Sequence, residues 1–297
     1  MTRLADLAEL VRAPAALSVP GDVLAGAAAA GVLGRRTPAL AGSSVLLYWA
    51  GMAANDWADR RLDTVERPER PIPSGRVSAP AALGLAAGLT AAGLALATAA
   101  GGRRAAAVAV PLTAAIWGYD LLAKNTAAGP VVMAACRGLD VLLGATSAGP
   151  RTSGHRLGGG ASAGARLARA LPAALTVAAH TWTVTALSRR EVSGADRRLP
   201  RATLAGTAVV AATALGRTSP VPAVLAAGYA ARYGSAQARV LADPSPGRVR
   251  AAVGAGITGL PALQGALTAR AGARVLGLAV AAAAPLGRRL ARLVSPT

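Results

Sequence analysis

The sequence predicts an all-α fold, a polytopic membrane bundle of about nine, and up to ten, transmembrane helices. Three observations carry this. Apolar residues make up 53% of the 297-residue chain while charged residues make up 15%, too few to cover the surface of a soluble protein this long. Lys and Arg outnumber Asp and Glu by 32 to 13, a net charge of +19. Apolar runs recur from one end of the chain to the other, many near the roughly 20 residues that cross a bilayer core. Basic nucleic-acid-binding domains share the charge but not the apolarity, so nucleic acid is excluded as a partner. A single cysteine, Cys136, excludes a disulfide framework and a cysteine-based zinc site.

In chain order the runs fall at 15–33, 40–54, 81–100, 105–122, 131–148, 167–187, 202–215, 221–231, 253–269 and 275–286. The seventh, eighth and tenth are short; they merge or lie at the interface if the count is nine. The first run is long and has no small-residue cleavage site behind it, unlike a cleavable signal peptide. No repeat of 20 to 50 residues is visible, so residues 1–297 read as a single domain.

Basic residues set the orientation. Counted over alternate loops, 20 lie on the side of the N-terminus and 11 on the other, with Arg137 inside a span. No acidic residue falls in a loop of the second set, and apart from Asp22, Asp120 and Asp140, which sit in or near spans, all acids fall in segments of the first. The expectation is a multi-pass protein of the cell membrane with its N-terminus and its chemistry on the cytoplasmic side.

The segment after the second run is the most informative. It reads Asn55-Asp56-Trp57-Ala58-Asp59-Arg60-Arg61-Leu62-Asp63, and then Arg70-Pro71-Ile72-Pro73-Ser74-Gly75. At about 100° per residue, Asp63 comes back to within roughly 20° of Asp56, and Asp59 lies about 60° away. Three carboxylates crowded at the mouth of a membrane helix repel one another unless positive charge offsets them. A hard divalent cation with oxygen ligands does this, and Mg²⁺ keeps waters and accepts phosphate oxygens beside one or two carboxylates. Asn55 adds a neutral oxygen. The plainer alternative is a solvated helix end whose acids pair with nearby arginines.

The pattern Asn-Asp-x-x-Asp-x-x-x-Asp followed by Arg-Pro-x-Pro-Ser-Gly resembles the first signature of the UbiA superfamily of intramembrane prenyltransferases. The resemblance implies that Asn55, Asp56, Asp59 and Asp63 hold Mg²⁺ on a polyprenyl diphosphate. It implies a diphosphate leaving group neutralised by the metal, an allylic cation captured by a small-molecule acceptor, and Arg70 among the donor-binding residues. It also implies a water-poor slot open to the lipid bilayer for the prenyl tail.

Family members carry a second acidic motif after the sixth span, and here the sequence departs from it. Only Glu191 and Asp196 remain, about 140° apart on an ideal helix, able to share a metal only if the helix ends between them, as Ser193-Gly194 permits. The Thr-x-Leu-Ser-Arg-x-Glu run ending at Glu191 resembles the divergent EboC-like branch. Glu191 is therefore a candidate metal ligand, and Arg189 and Arg190 either contact diphosphate or anchor the topology. Lys124 stands alone in a chain with 31 arginines, next to Asn125, one of two asparagines. Tyr119 to Lys124 resembles the Tyr-x-x-x-x-Lys segment of the family, near the diphosphate. A compact ammonium suits a phosphate as a point charge; a snorkelling interfacial lysine is the alternative. Asp56, Asp59 and Lys124 are thus the expected catalytic residues, with Tyr119 beside them.

Arg137 and Asp140, spaced i,i+3, can pair across one turn at membrane depth, where charges are expensive. With Asp22 they line an acceptor pocket or form a buried ion pair. His180 reads as a hydrogen bond to a neighbouring helix rather than as a base. The reading that emerges is an Mg²⁺-dependent prenyltransferase with an aromatic or polar acceptor. Its rivals are a transporter of an anionic substrate and a catalytically degenerate scaffold of the same fold.

Overall fold

In a computed structural model, residues 3–13, 18–147, 162–216 and 219–283 are described, and all their regular structure is helical. The helices are α1 (Leu4–Leu10), α2 (Pro20–Ala29), α3 (Thr37–Glu66), α4 (Ala79–Gly118), α5 (Gly129–Gly144), α6 (Ala163–Ser188), α7 (Arg198–Thr213), α8 (Pro220–Ala242), α9 (Pro246–Arg270) and α10 (Arg274–Ala283). A π-helical turn, Tyr119–Ala123, continues α4.

The apolar runs map onto these helices with three informative differences. Residues 15–17 of the first run lie outside the described residues; in the rest of it α2 starts at Pro20, whose ring suits the first helical position and which has no amide to leave unpaired. The second run ends at residue 54, but its helix continues to Glu66, so the acidic cluster rides on α3 itself. The third and fourth runs are two arms of α4. They are broken at Gly102, whose φ of 66° and ψ of −156° suit only glycine, leaving no loop before Arg103 and Arg104. Residues 148 and 284–286, at the ends of the fifth and tenth runs, lie outside the described residues.

The stretches Ala79–Ala123 and Ala163–Ser188 are each long and apolar enough to cross a membrane, with mean hydropathies of 1.7 and 1.2. Elsewhere apolar side chains face outward, among them Leu175, Val209, Val224 and Ile257, an arrangement that lipid tolerates and water does not. Helix α2 lies at the centre, packed against α3, α5, α6 and α9. Its contact with α5 is backbone to backbone: a methyl on Gly26 would overlap the Val141 carbonyl, and one on Gly144 would overlap that of Val23. Such close approach is the usual role of small residues between membrane helices.

Helix ends alternate between the two ends of the bundle. Helix α1, the 67–78 segment, the π turn, and the α6–α7 and α8–α9 turns all meet at one end. Ties between them include Arg76 to Glu9 and Asp6, Arg189 to the Thr126 carbonyl, and Ala195 to the Pro244 carbonyl. This end holds the acidic cluster.

Candidate active site

Two polar sets divide the carboxylates of α3. On one face, Asp56 and Asp63, seven residues apart, share Arg70. Its Nη1 is 2.7 Å from Asp63 Oδ2 and 3.3 Å from Asp56 Oδ1. Arg12 Nη2 reaches the same Asp56 oxygen at 2.8 Å. On the adjacent face, Asn55 Oδ1 and Asp59 Oδ1, four residues apart, converge on Lys124 Nζ at 3.1 and 2.6 Å. The near-coincidence of Asp56 and Asp63 seen in the spacing is thus real, and the offset of Asp59 sends it to a different partner. Asp56 and Asp63 are buried, at 4% and 1% exposure.

The segment after α3 is built to deliver Arg70. Pro71 and Pro73 fix its course, Ser74 Oγ donates to the Arg70 carbonyl at 2.7 Å, and Gly75 takes a φ of 74°. Arg76 bridges back to α1 through Asp6 and Glu9. There the Arg3 amide and the Arg76 guanidinium hold the Asp6 carboxyl below its ordinary range, and the paired acids raise the basicity of Arg76. Arg12, just after α1, has a φ of 47°, a left-handed conformation uncommon for a residue with a side chain.

Asn55 and Asp59 present hard oxygens that already surround one positive centre, which is the donor chemistry Mg²⁺ requires. Among the described residues no three His, Cys, Asp or Glu side chains gather as a complete metal cage. An ion here would therefore take its remaining ligands from water and from the oxygens of an anionic substrate. In that limited sense the residues fit the metal that the family resemblance implies.

Below the cluster lies a cavity of about 300 Å³ between α3, α5, α6 and α9. Met52, Tyr119, Arg137, His180 and Leu260 are among its lining residues. At its deep end the expected Arg137–Asp140 pair does not form. Arg137 Nε pairs instead with Asp22 on α2 at 2.8 Å, and Asp140 accepts from Ser44 Oγ at 2.5 Å. Packing against other helices outweighs the i,i+3 spacing, because a membrane interior rewards any partner that satisfies a charge. Gln264 on α9 also donates to Asp22, at 2.7 Å. His180 bonds to Tyr229 OH on α8 at 2.8 Å.

The second motif is arranged otherwise. The helix does end between Glu191 and Asp196: α6 stops at Ser188, and Gly194 takes a φ of 78°. Asp196 Oδ1, however, accepts the backbone amides of Arg198 and Leu199 at 3.0 and 2.9 Å at the start of α7. Those amides hold its carboxyl low. Glu191 is half-buried beside Arg250 of α9, whose Nη1 donates to the Glu191 carbonyl at 2.8 Å; burial pushes its carboxyl up. The two carboxyls thus have different settings, one engaged by backbone amides and one beside Arg250. Arg189 and Arg190 are exposed; Arg189 is tied to Thr126 beside the π turn, and the Arg190 charge acts on Asp196.

The sequence reading missed Arg12, counted there only as a topological charge. Its partner Asp56 is 44 residues away, and nothing local signals the contact. It also left Asp120 unassigned, a buried acid on the π turn facing α3.

The fold and this site together define a helical membrane protein with a polar chamber at one end, over an apolar cavity. The chain belongs to the UbiA prenyltransferase family, whose model matches residues 17–257. It is 44% identical over 85 residues to the digeranylgeranylglyceryl phosphate synthase of Ignicoccus hospitalis, a match covering 29% of this chain and 28% of that protein. Against the enzyme of the same name from Methanothrix thermoacetophila it is 58% identical over 48 residues, 16% of this chain and 18% of that one. The matched stretches thus span less than a third of these relatives' lengths. Among solved structures, that reported for digeranylgeranylglyceryl phosphate synthase in membranes superposes with a TM-score of 0.64 at 16% identity. It covers 91% of this chain and 99% of that chain. A UbiA homologue from Archaeoglobus fulgidus bound to GPP and Mg²⁺ gives 0.63 at 12% identity, covering 93% and 99%. These likenesses establish the fold.

Proposed function

We propose that this chain transfers a polyprenyl group from its diphosphate to a small-molecule acceptor in the bilayer, with Mg²⁺. The observation that carries the reading is the convergence of Asn55 Oδ1 and Asp59 Oδ1 on Lys124 Nζ, next along the chain to Met52 and Tyr119 of an apolar cavity's lining. Here an acid–amide pair and a side-chain cation stand where a diphosphate head would meet a prenyl tail. Asn55, Asp56 and Asp59 would hold Mg²⁺, which when bound neutralises charge on the departing diphosphate. Asp63, tied to Arg70 and Arg67, belongs with the arginine network that sets Asp56.

The chain's own groups account for the remaining steps. Lys124 and Arg70 bind diphosphate oxygens as charge-assisted donors, with Arg189 at the rim. The allylic C–O bond breaks and its electron pair leaves with the diphosphate. The cavity excludes water from the resulting cation, and the acceptor donates an electron pair to carbon and then loses a proton. Tyr119 and Arg137 line the space where tail and acceptor meet. The protein is read as lying in the cell membrane with this end in the cytoplasm, following the 20-to-11 basic count. A transporter's coupling ions sit near the bilayer midplane, whereas these acids cluster at one end of the bundle.

The test is incubation of the purified protein with Mg²⁺, prenyl diphosphates of several lengths and a lipid extract. Diphosphate release that requires both Mg²⁺ and the prenyl donor is expected. No release with any donor would overturn the reading.

A further inference from the structure

Near the end of α3, the aspartates Asp56, Asp59, Asp63 and Asp120 lie among the cations Arg12, Arg67, Arg70 and Lys124. Arg12, Arg70 and Lys124 pair with Asp56, Asp63 and Asp59. Of these aspartates, Asp120 is 8% exposed and has neither a hydrogen bond nor an ion pair among the described residues. A carboxylate held out of water without a partner is disfavoured unless a cation or a proton meets it.

Its position is set by two backbone features. The π turn, closed by the Lys124 amide on the Tyr119 carbonyl at 2.9 Å, turns both Asp120 and Lys124 toward α3. Such turns inside helices frequently mark functional sites. Opposite it stands Gly51: a methyl there would lie 3.2 Å from Asp120 Oδ2 and would press on Ile116. Asn55 is one turn further along α3, about 6 Å up the axis, and helical side chains lean back toward the N-terminus, down toward Asp120. The charged groups acting on Asp120 are Lys124, Arg12, Asp59 and Asp56, drawn from both polar sets.

We infer that Asp120 is an additional carboxylate of the divalent-cation site, supporting through a bound water the ion that Asn55 and Asp59 hold at the position of Lys124 Nζ. The inference rests on the prenyl-diphosphate reading above. It gives this buried carboxylate a partner, and it supplies from the π turn a donor that Asp196 on the far side cannot. Lys124 then acts as an internal counterion that a divalent cation displaces, freeing the ammonium for an anionic ligand.

The test measures free Mn²⁺ by electron paramagnetic resonance, with the full-length protein in detergent and no diphosphate present. Asp120→Asn is expected to weaken Mn²⁺ binding at least about tenfold, the scale on which groups supporting a metal site act. Asp59→Asn should weaken it as well, and Lys124→Ala should tighten it by removing the competing ammonium. If Asp120→Asn does not give folded protein, Asp120→Ser is read on the same scale. Binding within about twofold of wild type for the Asp120 variant, with Asp59→Asn impaired, overturns this inference and leaves the prenyltransferase reading standing. Binding unchanged in both variants overturns the metal assignment of the whole site.

Discussion

The α3 end and the α6–α7 turn occupy comparable places, each a helix end followed by a turn bearing acids, yet they spend their carboxylates differently. At α3 the partners are side-chain cations: Arg12 and Arg70 for Asp56, Lys124 for Asp59. A side-chain cation can swing away when a metal or an anionic ligand arrives. At the second turn Asp196 is bonded to two backbone amides that start α7, and releasing it would unravel a helix start. The difference separates an acid held ready for exchange from an acid used as structure.

The hardest blow to this comparison would come from the α3 carboxylates. Asp56→Asn and Asp59→Asn should each reduce diphosphate release at least about 100-fold, the scale of losing a group that stabilises developing charge. Both proteins should still elute as folded species on size exclusion. Turnover like wild type in Asp59→Asn would remove the site from α3 altogether.

Lys124 comes next. If it meets diphosphate as a point charge, Lys124→Arg places a bulkier planar fork in the same space. Losing charge-assisted bonds of about 1.5–3 kcal/mol corresponds to roughly 10- to 150-fold. Steady-state kinetics against the prenyl donor at saturating Mg²⁺ should show at least about a tenfold loss for Lys124→Arg and more for Lys124→Ala. A Lys124→Arg enzyme within about twofold of wild type would make the lysine a membrane anchor.

On the other side, Asp196→Ala and Glu191→Gln sharpen the contrast by their silence. Each should keep turnover within about twofold, and Asp196→Ala should show only a small drop in melting temperature. A large loss of activity with unchanged melting would mean that the second turn carries chemistry after all.

The smallest effect is geometric. With Cys136→Ala as background, cysteines at Ser74 and Ser193 should react with maleimides from the same side of the membrane, the cytoplasmic one. Labelling of one site alone by an impermeant external reagent in intact cells would separate two segments that the fold brings to one end.

Much of this was legible in the sequence because its causes are local. The apolar runs follow from bilayer thickness, and the α3 cluster from helical periodicity. What stayed hidden depends on distant chain. Arg12 reaches Asp56 across 44 residues, Arg137 chooses Asp22 over the nearer Asp140, and Asp196 is claimed by amides that exist only once α7 starts. The continuation of α3 past its apolar run is local too, but carried by the spacing of its carboxylates and not by hydropathy. Asp120 was visible as a residue, but only the π turn and the bare surface of Gly51 give it a direction.

Where α2 crosses α5, Gly26 and Gly144 bring main chain against main chain, and that seam behaves as a keel. At these two glycines a carbonyl of one helix sits directly over the α-carbon of the other, so shearing the helices would drive main chain into main chain. Any movement that opens the cavity beside α3 and α6 would meet least resistance by hinging about this line, with the outer helices swinging as ribs around it.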